Sequence, residues 1–77
     1  MRAELVRYIE TTILRDSAKI DPEESLIDRG IIDSMGLMQI MNFVESNTGV
    51  RIPDHLVLLE NFQSVAAIEQ LVHRLRS

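Results

Sequence analysis

With 77 residues and no cysteine, the chain has room for one small domain around a single apolar core, and no disulfide to reinforce it. A catalytic pocket with walls of its own is not expected at this size, and the lack of thiols fits a reducing cytoplasm. The net charge of -4 is concentrated between Asp16 and Asp33, where six acids stand against Lys19 and Arg29, while acids and bases balance elsewhere. Such an acidic segment repels phosphate backbones, so a basic protein partner is expected and a nucleic acid is not.

From Arg2 to Arg15, Leu5, Val6, Ile9 and Ile13 recur at helical spacing with the charged residues elsewhere, which predicts an amphipathic helix. Met1 to Ile20 carries charges throughout, so neither a secretory signal nor a membrane span is expected; a cytoplasmic monomer is. Asp16 to Asp33 has no sustained period. Within it, Asp21-Pro22-Glu23-Glu24 places a capping residue before proline and an acid at the third helical position, enough for one short helical turn. Leu26, Ile27, Ile31 and Ile32 anchor this stretch as an ordered loop lying across a bundle, and Gly30 permits a turn. Connections this long without regular structure usually carry function, and this one ends at Asp33-Ser34.

A second helix is expected from about Ser34 to Ser46, stopped by Asn47-Thr48-Gly49. Val50 to Pro53 reads as extended. Asp54 begins a short helix through Leu59, in which Leu56, Leu58 and Leu59 are expected to be buried. Ser64 caps a last helix whose stripe is Val65, Ile68, Leu71, Val72 and Leu75. The fold class is therefore all-α: a small four-helix bundle of three main helices and one short one, forming a single domain over 1–77.

The second helix is apolar around much of its surface. Leu37, Ile40, Met41 and Val44 form a coherent inner face, leaving Met35 and Met38 pointing elsewhere, next to Ser34. Exposed methionines make an adaptable binding surface; a central helix buried on several sides accounts for the same pattern. If Asp33 is the N-cap, Ser34 is the first helical residue, with a hydroxyl the backbone does not need. A phosphodiester there would meet the positive end of a helix, partly offset by Asp33, each effect worth roughly 1 kcal/mol or less. An arbitrary Asp-Ser at a helix start is more often an ordinary cap, with Ser34 itself in the capping position.

The ordered set Leu26, Asp28, Gly30, Ile32, Asp33, Ser34 and Met35, followed by Gly49, Ile52, Pro53 and Asp54, resembles the acyl and peptidyl carrier protein family over nearly the whole chain. In that family an Asp-Ser-Leu opens the second helix and its serine bears phosphopantetheine; here Met35 stands for the leucine. The resemblance implies 4'-phosphopantetheine, drawn from coenzyme A by a phosphopantetheinyl transferase, on Ser34, with Asp33 in support. It also implies that an acyl- or aminoacyl-adenylating ligase or an acyltransferase loads the thiol, and that condensing, oxidising or transferring enzymes receive the cargo. Met35, Met38 and Asn42 would form the docking face, and Asp28 and Arg29 would tune partner choice. Only Glu45 is acidic between Met35 and Ser46, unlike the acid-rich second helices of fatty-acid-synthase carriers, and Glu60-Asn61-Phe62 resembles stand-alone carriers served by an adenylating ligase.

Other chemistry is poorly supported. His55 and His73 lack ligand spacing and a cysteine, so no metal site is expected. The acids of 16–33 are out of register for a calcium loop. Ser34 has no histidine or lysine at a suggestive motif spacing, so the chain is not expected to be an enzyme in its own right. A DNA-binding helix pair would need more lysine and arginine on its recognition helix. The competing expectation is a cofactor-free helical interaction module, in which the methionine face binds a partner helix.

Overall fold

The computed structural model describes residues 1–76, and among them all regular structure is helical. Three α-helices form the frame: α1 (Arg2–Tyr8), α2 (Ser34–Thr48) and α3 (Val65–Arg76). The fourth helix expected after Pro53 is instead two separate 3-10 turns, Asp54–Leu56 and Leu59–Phe62. Leu56 is half-buried, whereas Leu58 and Leu59 are exposed, contrary to the expectation that all three are covered. The break falls at Val57 and Leu58, and the side chain the second turn delivers to the core is Phe62, the largest fully buried residue.

The first helix is shorter than its apolar stripe suggests. After Tyr8 it widens into a π-helical turn, Ile9–Ile13, where the Leu14 N–H donates to the Ile9 carbonyl and the Asp16 N–H to that of Glu10. Arg15 and Asp16 then adopt φ of 51° and 61°, left-handed values that end the helix. The run Ile9, Thr11, Thr12, Ile13 is rich in β-branched residues, which hold a regular helix weakly. Glu10 points back to hold the departing chain, accepting the Ile20 N–H at 2.9 Å.

Residues 14–33 contain turns but no helix. The capping box at Asp21 is present: its carboxylate accepts the Glu23 N–H at 2.8 Å, and its own N–H donates to Glu24. The one short turn expected there is present, the Glu24 N–H donating to the Asp21 carbonyl at 3.1 Å, and it does not continue into a helix because its bonding groups are used elsewhere. In a helix the Leu26 N–H would donate to the Pro22 carbonyl. Here the Leu26 N–H donates to the Gln63 carbonyl at 2.7 Å, while the Pro22 carbonyl accepts the Ala66 N–H at 2.9 Å. One local hydrogen bond is exchanged for two, which fasten this segment to the end of the second 3-10 turn at Gln63 and to the first turn of α3 at Ala66.

The core is one cluster, with Leu5 and Ile9 from the first helical segment, Ile20, Leu26 and Ile32 from the connection, and Ile40 and Val44 from α2. Ile52, Phe62 and the inner face of α3 (Val65, Ile68, Leu71 and Val72) complete it. Tyr8 stacks on Phe43 with ring centroids 4.3 Å apart, joining α1 to α2. The Arg2 guanidinium donates twice to Glu69, at 2.7 and 3.1 Å, and ties α1 to α3. That pair is solvent-exposed, so its contribution is about 1 kcal/mol at most and the apolar cluster dominates stability. Among the described residues no helix is long and apolar enough to cross a membrane.

Candidate functional site

Helix α2 begins where the acidic connection ends. Asp33 is its N-cap in extended conformation, and its Oδ1 accepts the Gly36 N–H at 2.7 Å, while its carbonyl accepts the Leu37 N–H at 2.8 Å. Because Asp33 does the capping, Ser34 is the first helical residue, exposed, with a hydroxyl that has no hydrogen-bond partner among the described residues. Gly36 is buried beneath the cap. A Cβ there would lie 3.3 Å from Asp33 Oδ1 and 3.5 Å from the Ile31 carbonyl, so the missing side chain lets the carboxylate close over the first turn.

Down the outer side of α2, Met35, Met38 and Asn42 follow at helical spacing and all are exposed, Met35 at 71% and Met38 at 51%. Ile40 and Val44 are fully buried on the opposite side, with Leu37 and Met41 half-buried. The other end of α2 is closed by Gly49, whose φ of 74° suits a left-handed cap and whose N–H donates to the Glu45 carbonyl. Glu45, the only acid of the helix, turns inward to accept the Ile52 N–H at 2.8 Å and is thereby engaged with the chain itself.

Asp28 and Arg29 lie on the turn before α2, both exposed. Their situations differ. The Arg29 guanidinium is bound internally, to Glu24 at 2.7 Å and to the Lys19 carbonyl at 3.3 Å, so it braces the connection. Asp28 makes only a backbone contact, its N–H donating to Ser25 Oγ. The Arg29 guanidinium and the Asp21 N–H hold the Glu24 carboxyl below its ordinary value, the backbone hydrogen bond being the larger cause.

Two features escaped sequence reasoning. Leu58 and Leu59 add exposed apolar surface, 44% and 51%, that the leucine count alone assigned to the core. A cleft between the end of the first helical segment and the start of α2 brings Thr12 and Arg15 to the same place as Asp33, Met35, Gly36 and Gln39. An uninterrupted first helix through Arg15 gave no hint of it; the β-branched run before Arg15 is the signal that was available.

The arrangement is suited to covalent attachment of a phosphate-linked group: a free primary hydroxyl in solvent, at a helix start whose backbone N–H groups favour an anion. Comparison with known proteins agrees in kind. Residues 3–72 match the family model described as the phosphopantetheine attachment site. The chain is also 38% identical over 56 residues, 73% of its length, to aminoacyl carrier protein 2 of Bradyrhizobium diazoefficiens. The match spans 62% of that relative's length. The chain thus belongs to the phosphopantetheine-attachment family of carrier proteins, whose cofactor is 4'-phosphopantetheine.

Proposed function

We propose that the Ser34 hydroxyl is the attachment point for 4'-phosphopantetheine, and that the chain carries an acyl or aminoacyl group as a thioester to biosynthetic enzymes. The observation that carries this reading is the division of labour at the start of α2, where Asp33 satisfies the backbone and leaves the next side chain free in solvent. In the modification, Ser34 Oγ bonds to the pantetheine phosphorus of coenzyme A, the phosphoanhydride bond breaks and the nucleotide leaves. The hydroxyl proton goes to a base of the phosphopantetheinyl transferase, which works with Mg2+. Once attached, the group supplies the thiol this chain lacks, as a thioester whose carbonyl is activated for condensation or transfer. Catalysis lies in the separate enzymes that modify, load and unload the carrier.

Met35, Met38 and Asn42 form the docking stripe beside the arm, since methionine adapts to partners of different shape. Asp28 presents a free carboxylate to such a partner, and Arg29 acts by holding the loop in shape. An aminoacyl cargo loaded by an adenylating ligase is the subtype favoured, because the relative's name is aminoacyl carrier protein. A cofactor-free interaction module accounts for the methionines but leaves the family match unexplained.

Intact mass after incubation with coenzyme A, Mg2+ and a broad-specificity transferase tests the attachment. The native chain should gain one phosphopantetheinyl group and Ser34→Ala none; an equal gain in both, or none in either, rejects the site.

A further inference from the structure

We propose that Arg15 neutralises the phosphodiester on Ser34, and that the cleft it borders with Thr12 and Gln39 is the resting place of the pantetheine arm. The inference rests on the attachment at Ser34 and adds to it the part of this chain that receives the arm between enzyme visits.

The cleft holds about 300 Å³ and lies between the end of the first helical segment and the first turns of α2. Asp33, Met35 and Gly36, the immediate neighbours of Ser34, form one wall; Thr12 and Arg15 form the other, and Gln39 lies one helical turn beyond Met35. The π-helical turn and the left-handed backbone at Arg15 and Asp16 bring Arg15 there. Left-handed φ is sparsely populated for residues with a Cβ, and two in succession are a feature the surrounding structure must enforce.

Charge points the same way. A phosphodiester is an anion at neutral pH, and next to the Asp33 carboxylate it places two negative groups at one helix start, more than the helix terminus alone offsets. Arg29 is bound to Glu24, Lys19 pairs with Glu10 and Arg2 with Glu69. Arg15 has no hydrogen bond or ion pair among the described residues, and it borders the cleft. Pantetheine beyond the phosphate bears a hydroxyl and two amides, groups that need partners when they leave water. The Thr12 hydroxyl and the Gln39 amide both donate and accept, and Met35 offers apolar contact to the geminal methyl groups of the arm.

The test compares apo and holo protein by nitrogen-15 and phosphorus-31 magnetic resonance, after intact mass has shown the modification. The Arg15 Nε–H, the Gln39 side-chain amide and the Thr12 amide should shift on modification. Those shifts should vanish in Arg15→Gln, be largely restored in Arg15→Lys, and remain in Arg7→Gln. The phosphorus resonance of native holo protein should also move as salt is raised to about 1 M, where screening acts over about 3 Å. That native salt titration reads the contact even if Arg15→Gln does not fold. Shifts confined to residues 33–36, or a phosphorus resonance insensitive to salt, overturn the inference while leaving the attachment intact. Absence of any mass gain overturns both.

Discussion

Asp33 and Ser34 divide two tasks that a single serine often performs at a helix start. The Asp33 carboxylate occupies the Gly36 N–H, so no backbone group competes for the serine hydroxyl. Asp33→Ala leaves that N–H without its partner and should destabilise the fold by about 1 kcal/mol. In a domain of this size that lowers the melting temperature by about 4–8 °C. Asp33→Asn retains an acceptor and should melt close to the native protein; equal melting of all three would show that the cap is not stabilising. These two residues were legible in the sequence because capping depends on neighbours a few positions away. Arg15 was not, because its place depends on a wide turn and a left-handed backbone that apolar periodicity does not register.

At the scale of elements, helix type and approximate position were readable wherever one apolar stripe was continuous, as in α3, whose buried Val65, Ile68, Leu71 and Val72 are the residues its spacing picks out. The reading failed over 54–59, where two 3-10 turns replace one short helix; in the connection, tertiary hydrogen bonds limit how far a local signal extends. Pro22 and Leu26 exchange their mutual helical bond for bonds to Ala66 in α3 and to Gln63 just before it, so a correct capping box opens only one turn. Helix α2 carries apolar residues on two sides for two reasons, an inner face for the core and an outer stripe in solvent. Met35→Glu should therefore leave circular dichroism and melting nearly unchanged while slowing loading and transfer by partner enzymes; unaltered rates would remove Met35 from the docking stripe. The Asp21 turn has its own signature in acid. Glu24 is held below its ordinary value of 4.5, chiefly by the Asp21 N–H and then by Arg29. A depressed carboxyl stabilises the fold above its unfolded value, and that contribution disappears as pH falls through the lowered folded value. Glu24→Gln should be less stable at pH 7 and lose stability less steeply below about pH 5. Parallel acid unfolding curves for the two proteins would contradict this.

Across the whole molecule, stability rests on one small apolar cluster without disulfides, and domains of this size hold only a few kcal/mol in reserve. Phe62 fills the centre of that cluster from a one-turn segment, and Phe62→Ala should cost about 3–5 kcal/mol, enough to unfold much of the population at room temperature. A cooperative native-like melt of that variant would show that the turn is dispensable. The same economy bears on function: the chain gives its interior to holding three helices and leaves the Ser34 hydroxyl in solvent. The most direct test is to locate the added group by fragmentation mass spectrometry of the intact holo protein. The group should be found on Ser34 alone; its discovery on any other residue would contradict the account.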